Sequence, residues 1–187
     1  MGGRLIVLSW DELLRDAALL VRKIKGAGYR PDLLVAVARG GWVIGRILSD
    51  CLGVDLAFSL TIKSYKGLAK REGEAVLQTL PNSRTLEGKT ALVVDDVSDS
   101  GSTLKTAVKL VQGAGIAEVR TATLYVKPRT CYIPDFYVRS VDGWVVFPYE
   151  YCETLRELGG NGTSPDYLEK VKTGLSLVEY CCEGAES

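Results

Sequence analysis

The chain has 187 residues, 47% of them hydrophobic, which is enough for one sizeable core and too little for two full domains. Basic and acidic residues number 23 each, so no overall field attracts nucleic acid. Histidine is absent and the 5 cysteines show no Cys-x-x-Cys spacing, which excludes the usual zinc sites.

The first apolar run, LIVL at residues 5–8, predicts a short strand. Ser9 and Glu12 follow it with the spacing of a capping box, in which Ser9 is the N-cap and Glu12 reaches back to it. We therefore expect a helix that begins here and ends between Gly26 and Gly28.

Two further strands flank a second predicted helix. The continuous apolar run at 32–38 is typical of a parallel strand that is covered on both faces. Residues 43–53 predict a helix closed by Gly53, and residues 54–64 predict a third strand. The segment 65–75 is charged, contains glycines and lacks apolar periodicity, so we interpret it as a mobile loop or a hairpin arm.

The second half of the chain repeats this alternation and then changes character. Residues 90–96 predict a buried strand, 102–115 a helix and 118–128 another strand. The alternation predicts an α/β fold with a doubly wound, mostly parallel sheet. Short aromatic segments then precede a terminal helix that Ser164 and Pro165 are suited to start, and we expect this back end to cap the sheet.

Several features predict a cytoplasmic protein. The apolar run near the amino terminus is far too short for a signal peptide, and no segment approaches the length that spans a bilayer. An odd number of cysteines fits buried or free thiols in a reducing compartment. We therefore expect neither a membrane nor a nucleic-acid partner.

Three carboxylates lie at the end of the fourth predicted strand and just after it, in the segment LVVDDVSDSGST, residues 92–103. In open α/β sheets, ligands bind at the carboxyl ends of strands, where this segment lies. Asp95 and Asp96 suit the vicinal hydroxyls of a sugar or a hydrated magnesium ion. Asp99 stands where it reaches a group above such a sugar.

Four residues complete this loop at the start of the next predicted helix: Ser100, Gly101, Ser102 and Thr103. They place hydroxyls and backbone N–H groups at a helix N-terminus, which suits a phosphate dianion. The alternative is an ordinary acidic turn in which Asp99 or Ser100 is the helix N-cap.

The whole run resembles the phosphoribosyl diphosphate (PRPP) signature of the type I phosphoribosyltransferases: apolar residues, two acids, two further residues, then Asp, Ser or Thr, Gly, any residue and Thr. The resemblance implies that PRPP binds to both acids, to Asp99 and to the four residues after it. It also implies Mg²⁺ as cofactor with Asp95 and Asp96 as ligands, and Asp99 as the catalytic base. Ser98 stands where an apolar residue is more usual.

Two other segments resemble PRPP-binding loops of this family. VARGGW looks like the diphosphate loop, with Arg39 and Gly40 as binding residues. Relatives have a non-proline cis peptide in this loop, which the resemblance places at Arg39–Gly40. The segment KSYKGLAKREGE, residues 63–74, resembles the flexible catalytic loop of the family, in which Ser64 and Tyr65 close over the diphosphate. An ordinary turn and a solvated hairpin are the respective alternatives.

The region of the family called the hood, approximately 127–150 here, resembles that of enzymes acting on 6-oxopurines. The resemblance implies that Lys127 hydrogen-bonds the purine 6-oxygen, that Trp144 stacks on the base and that the backbone of Val145 faces the base edge. Glu150 loosely matches an acid close to a second metal ion. A stripe of aromatic and aliphatic residues is otherwise typical of a core.

The resemblance implies one phosphoribosyltransferase domain over residues 1–187, with a C-terminal extension at 151–187 that matches nothing in the family. The implied enzyme transfers the 5-phosphoribosyl group from PRPP to hypoxanthine, guanine or xanthine, yields the nucleoside monophosphate and diphosphate, and forms a homodimer or homotetramer. Two alternatives stay open: an adenine phosphoribosyltransferase, and a non-catalytic regulator of the same fold that senses PRPP.

Overall fold

The computed structural model describes residues 5–65, 73–76 and 86–158, without the side chains of 63–65, 73–76, 155, 157 and 158. Its helices are α1 (Trp10–Gly26), α2 (Gly41–Leu52), α3 (Ser102–Gly113) and α4 (Tyr151–Leu158). Its strands are β1 (Leu5–Val7), β2 (Leu33–Ala38), β3 (Ala57–Tyr65), β4 (Gly73–Val76), β5 (Thr90–Val94), β6 (Val97–Ser98), β7 (Glu118–Val126), β8 (Phe136–Ser140) and β9 (Trp144–Val146). None of these helices is long and apolar enough to cross a membrane.

The chain divides into two compact units. The larger is Asp16–Val141, and the smaller combines Met1–Arg15 with Asp142–Ser187. The larger unit contains the main sheet, and the smaller unit contains the pair formed by β1 and β9.

The sheet of the larger unit has the order β4-β3-β2-β5-β7, and both β6 and β8 pair with β7. All described pairs in it are parallel except that of β3 with β4. Val94 lies opposite Ala122 and Val97 lies opposite Tyr125, so β6 continues the line of β5 along β7. The two strands are therefore one line that is interrupted at residues 95–96.

Helices α2 and α3 cover opposite faces of this sheet. Successive residues of a strand point to opposite faces. Val35 of β2 belongs to a buried cluster with Leu104 and Val111 of α3. Its neighbour Ala36 instead meets α2, where a Cβ added at Gly45 would lie 3.0 Å from the Cβ of Ala36. The sheet therefore has the doubly wound arrangement that the sequence predicted.

Local signals placed the helix ends correctly. The N–H of Ser9 donates to Oε2 of Glu12 at 2.8 Å and the N–H of Glu12 donates to Oγ of Ser9 at 3.2 Å, which is the predicted capping box. Helix α1 ends at Gly26, and Gly53 closes α2 with a left-handed φ of 69°.

Three elements differ from expectation. Strand β6 was not predicted, because two residues between acids carry no periodicity. Helix α4 was missed because it has only 8 residues, and the predicted start of a last helix at Ser164 and Pro165 lies outside the described residues. The predicted loop or hairpin arm is in part an arm, since β4 pairs antiparallel with β3, and residues 66–72 lie outside the described residues.

The smaller unit is organised by β1 and β9, which are parallel, with Leu5 opposite Trp144. The N–H of Leu8 extends this pairing by donating to the carbonyl of Val146 at 3.0 Å. The carbonyl of Leu8 in turn accepts a hydrogen bond from the hydroxyl of Tyr151, which is buried. The start of the chain is thus tied to the segment that ends in α4.

Candidate functional site

Asp95 and Asp96 occupy the interruption between β5 and β6. Oδ1 of Asp95 accepts from the N–H of Asp96 at 3.0 Å, and Oδ1 of Asp96 accepts from the N–H of Val97 at 2.7 Å. Removal from water and the neighbouring charge of Asp96 raise the pKa of the Asp95 carboxyl well above its usual range. Two adjacent carboxyl groups in such surroundings favour a cation or hydroxyl donors beside them.

The loop after β2 approaches this acidic pair closely. A Cβ added at Gly40 would lie 1.8 Å from Oδ2 of Asp96, and one added at Gly41 would lie 2.5 Å from the carbonyl oxygen of Val94. Only glycine allows this approach without displacing a neighbour. The structure thus brings together the predicted diphosphate loop and the predicted sugar-binding acids.

The non-proline cis peptide predicted in this loop is present, but it joins Ala38 to Arg39. The prediction of a cis bond at Arg39–Gly40 is therefore wrong. Gly40 has φ −57° and ψ −40°, which is already helical, and it is the N-cap of α2. Arg39 and Gly40 form the turn between β2 and α2, in which the N–H of Trp42 donates to the carbonyl of Arg39 at 3.1 Å, and Arg39 is exposed.

A pocket lies over the loop between β5 and α3. It is lined by Asp95, Val97, Ser98, Asp99, Ser100, Gly101, Thr103 and Leu104. Gly101 is the N-cap of α3 with φ 83°, and the first turn of α3 contains no acidic residue. Most of the predicted PRPP residues of this loop therefore surround one pocket at a helix N-terminus, although Asp96 and Ser102 are not among its lining residues.

Asp99 forms an ion pair that the sequence did not predict. Nε and Nη2 of Arg129 both donate to Oδ1 of Asp99, at 2.8 and 2.6 Å. Arg129 lies in the turn that follows Lys127, and an arginine in a turn gives no sequence signal of its partner.

Ser98 has a partner that explains its polar side chain. It is buried, its Oγ donates to the carbonyl of Tyr132 at 2.8 Å, and it lies 2.8 Å from Oγ1 of Thr130. Where an apolar side chain is more usual, the hydroxyl of Ser98 therefore connects the predicted phosphate loop to the turn after β7 by hydrogen bonds. The signal for this was visible as a serine at an apolar position, but its partner was not.

Lys127 belongs to the same turn. Its side chain is 8% exposed, and its N–H donates to the carbonyl of Ser98 at 3.0 Å. Lys127 follows β7 directly. This hydrogen bond and the one from the N–H of Cys131 to the carbonyl of Ser100 join the turn of the predicted base-reading lysine to the predicted phosphate loop.

Ser64 and Tyr65 are the last residues of β3. Their backbones pair with Glu74 and Gly73 of β4, and their side chains lie outside the described residues. The predicted contact of these two residues with diphosphate stays a prediction.

The remaining predicted residues lie in the smaller unit. Trp144 is 52% exposed, so among the described residues it is not a core side chain, whereas Val145 beside it is buried opposite Ile6. Oε1 of Glu150 accepts from the N–H of Phe147 at 3.1 Å. The base-binding and metal-binding roles of these residues stay predictions.

No group of three or more acidic, cysteine or histidine side chains that could hold a metal ion is present within 5–65, 73–76 and 86–158. Magnesium is commonly held in proteins by one or two carboxylates together with substrate phosphates and water. The adjacent Asp95 and Asp96 carboxyl groups fit that requirement.

A family model described as the phosphoribosyl transferase domain matches residues 7–154. A curated relative, the xanthine-guanine phosphoribosyltransferase of Nitratidesulfovibrio vulgaris, is 29% identical over 146 residues, which are 76% of this chain and 83% of the relative. The part of the chain that the family model matches includes the β5–α3 loop and the turn after β7.

Two solved structures are similar. The purine phosphoribosyltransferase of Pyrococcus horikoshii is 33% identical with a TM-score of 0.68, covering 78% of this chain and 93% of that one. The xanthine-guanine-hypoxanthine phosphoribosyltransferase of Helicobacter pylori, 23% identical, has a similar fold with a TM-score of 0.71, covering 84% of this chain and 100% of that one. The matches confirm the resemblance stated from sequence, the fold class and the prediction of a phosphoribosyltransferase enzyme.

Proposed function

Because the chain belongs to the phosphoribosyl transferase family, we propose that it transfers the 5-phosphoribosyl group of PRPP to a 6-oxopurine base and releases diphosphate. The observation that carries this proposal is the close approach of Gly40 to the carboxylate of Asp96. A Cβ added at Gly40 would lie 1.8 Å from Oδ2 of Asp96. This approach supports the proposal because the proposed diphosphate loop and the proposed sugar-binding pair then lie side by side at the carboxyl edge of the sheet, where substrates of α/β folds bind.

Each part of PRPP has proposed partners on this edge. The 5-phosphate binds to the hydroxyl and N–H groups at the start of α3, where no acidic residue of the first turn repels it. The ribose hydroxyls bind to Asp95 and Asp96, and the diphosphate binds to Arg39 and Gly40. The residues proposed at these positions are Arg39, Gly40, Ser64, Tyr65, Asp95, Asp96, Asp99, Ser100, Gly101, Ser102 and Thr103.

We propose Asp95 and Asp96 as the principal ligands of Mg²⁺, with Glu150 for a second ion. When bound, the ion supplies positive charge to the departing diphosphate. Removing divalent cations with a chelator should abolish transfer, and adding Mg²⁺ back should restore it. Full activity in excess chelator would refute the cofactor assignment.

The chemical step joins a purine nitrogen to the anomeric carbon while the bond from that carbon to the diphosphate oxygen breaks. The transition state has oxocarbenium character, as in glycoside chemistry. The proton of the attacking nitrogen passes to the carboxylate of Asp99, which lines the pocket of the phosphate loop. The products are a purine nucleoside monophosphate and diphosphate. We propose that this reaction serves purine salvage in the cytoplasm, in a homodimer or homotetramer.

Lys127 supports the choice of a 6-oxopurine. An ammonium has donors and no acceptor, so it can bond a 6-oxo group but not the donors of a 6-amino group. Lys127 is buried, and a buried site discriminates more strongly than an exposed one between a base that accepts a hydrogen bond and a base that only donates one. Trp144, half exposed, is proposed to stack on the base, and the backbone of Val145 to face its edge.

Initial rates with guanine, hypoxanthine, xanthine and adenine, at fixed PRPP and Mg²⁺, test the proposal. We expect each accepted 6-oxopurine to have a higher kcat/KM than adenine, and Lys127→Ala to reduce that preference without abolishing transfer. Lys109→Ala, on α3, is a control that should leave the preference unchanged. A higher kcat/KM for adenine in the wild type would refute the role of Lys127 and favour an adenine enzyme.

A further inference from the structure

We propose that Arg129 is a positioning residue that fixes the carboxylate of Asp99 for proton transfer, an inference that rests on the proposed function. Both Nε and Nη2 of Arg129 donate to a single oxygen, Oδ1. No residue in the described part of the chain donates a hydrogen bond to Oδ2. The guanidinium thus restrains rotation of the carboxylate and leaves Oδ2 to accept the purine proton.

Exposed ion pairs usually contribute little, because two flexible side chains must be ordered to form them. The pair of Asp99 and Arg129 differs from such exposed pairs, because backbone hydrogen bonds already join the loop that carries Asp99 to the turn that carries Arg129. On one side of the pair, the N–H of Cys131 donates to the carbonyl of Ser100 at 2.9 Å. On the other side, the N–H of Lys127 donates to the carbonyl of Ser98 at 3.0 Å.

Side chains reinforce this junction. The buried Oγ of Ser98 donates to the carbonyl of Tyr132 and lies 2.8 Å from Oγ1 of Thr130, which directly follows Arg129. A Cβ added at Gly101 would lie 2.6 Å from Oγ1 of Thr130. The turn that carries Arg129 is therefore packed against the phosphate loop, and the guanidinium meets Asp99 from a fixed backbone.

Arg129 has two opposing effects on Asp99. Its charge stabilises the carboxylate anion, which opposes proton transfer, whereas its two hydrogen bonds hold the anion in one orientation, which favours transfer. The charge effect is screened by water because the side chains of Arg129 and Asp99 are 73% and 42% exposed. Orientation of a reacting group is worth far more than a screened charge, so removal of Arg129 should slow the reaction.

The test is a double-mutant cycle of Arg129→Ala and Asp99→Asn, assayed with a radiolabelled purine. In the wild-type background, Arg129→Ala should lower kcat on the order of ten- to a hundredfold. The KM values for PRPP and purine should stay within about twofold, because the lost interaction acts on the chemical step. In the Asp99→Asn background, the same substitution should change kcat by less than about twofold, since there is no base left to orient.

Two further variants control for charge and folding. Arg129→Lys should lie between the wild type and Arg129→Ala, because lysine keeps the charge but lacks the two-donor fork. Arg46→Ala removes an equally exposed arginine, whose partner Asp50 lies one turn away on α2, and should leave kcat unchanged. Thermal unfolding of each variant shows whether the fold is retained.

Several results would overturn the inference. A raised KM for PRPP with unchanged kcat would make Arg129 a substrate-binding residue, and an equal loss of kcat in both backgrounds would make its effect independent of Asp99. If Arg129→Ala does not fold, wild-type kcat in Arg129→Lys would overturn the orientation argument. A wild-type protein without transferase activity would refute the proposed function itself, whereas an active wild type with an unaffected Arg129→Ala variant refutes this inference alone.

Discussion

The edge of the main sheet formed by residues 39–41 and 95–103 is proposed to bind PRPP, whereas the β1–β9 pair of the smaller unit carries two of the residues proposed to bind the base, Trp144 and Val145. The two regions are built differently. At the edge, hydrogen bonds join neighbours in the chain, as from Asp96 to Asp95 and from Val97 to Asp96. The β1–β9 pair joins the two ends of the described chain, with Leu5 opposite Trp144. The hydrogen bonds of the acidic pair are local, although Gly40 and Arg129 approach this loop from distant parts of the chain, whereas the β1–β9 pair is formed by long-range pairing alone.

The edge of the main sheet is also more tightly packed than the β1–β9 pair is at Trp144. At the edge, even a methyl group at Gly40 would collide with Asp96, whereas Trp144 is 52% exposed on its strand. A change in a tightly packed region displaces reacting groups, and a change at an exposed side chain removes only its own contact. We therefore expect large kinetic effects from the edge and small ones from the pair.

The largest effect should come from Asp99→Asn. An amide cannot accept the purine proton as a carboxylate does, and general-base catalysis contributes about a hundred- to ten-thousandfold, so kcat should fall by at least the smaller factor. Single-turnover measurements separate this loss from changes in substrate binding. A fall in kcat of less than about threefold would remove Asp99 from the mechanism.

Asp96→Asn should act on binding. A hydrogen bond to a charged group contributes about 1.5–3 kcal/mol, so the affinity for PRPP in the presence of Mg²⁺ should fall about ten- to a hundredfold. Calorimetric titration measures this directly. Asp50→Asn, on the exposed side of α2, is the matched control and should bind normally. Unchanged magnesium-dependent affinity in the Asp96 variant would exclude the assignment.

Substitutions of two adjacent glycines at this edge should have different effects, one on catalysis and the other on stability. In Gly40→Ala the clash is with the end of the Asp96 side chain, which can rotate away, so we expect a normal unfolding temperature and a fall in kcat/KM for PRPP of about tenfold. In Gly41→Ala the clash is with the backbone of Val94, so the free energy of unfolding should fall by roughly 1–3 kcal/mol. Equal stabilities of the two variants would contradict this distinction.

The difference between the regions also explains what the sequence predicted. The helix ends, the buried strands and the acidic loop were predictable because each depends on neighbours in the chain, such as Ser9 with Glu12. The loop motif specified that Asp95 and Asp96 end a strand, and the structure places them in the interruption between β5 and β6.

The contacts that the sequence did not predict join distant residues. The ion pair of Asp99 with Arg129 and the link from Ser98 to Tyr132 depend on how the turn after β7 lies against the phosphate loop. The cis bond was misplaced by one position because a resemblance fixes the loop but not the conformation of each residue in it. Pairing of β1 with β9 has no periodic signal, since each strand has 3 residues.

Trp144→Ala should have a moderate effect on the base alone. Stacking of an aromatic side chain on a base contributes about 1–3 kcal/mol, and we expect the lower end, a rise of about fivefold in KM for the purine, because the ring is half exposed. The KM for PRPP should not change, and Trp144→Phe should recover most of the loss. An effect confined to the KM for PRPP would contradict stacking on the base and would indicate that Trp144 contacts PRPP.

The smallest kinetic effect should come from Ser9→Ala, which breaks the capping box at the start of α1. The N–H of Glu12 loses its bond to the serine hydroxyl, 3.2 Å long, and the free energy of unfolding should fall by about 1 kcal/mol. Ser9→Asp keeps an acceptor at the N-cap and should retain most of the stability, although its charge lies next to Glu12. Chemical denaturation of the two variants, with kcat and both KM values measured on the same samples, gives the comparison. We expect the kinetic constants of Ser9→Ala to match the wild type at a temperature where both are folded. A fall in kcat/KM for PRPP there would mean that the start of α1 contributes to PRPP chemistry, and would contradict our expectation that the capping box serves stability alone.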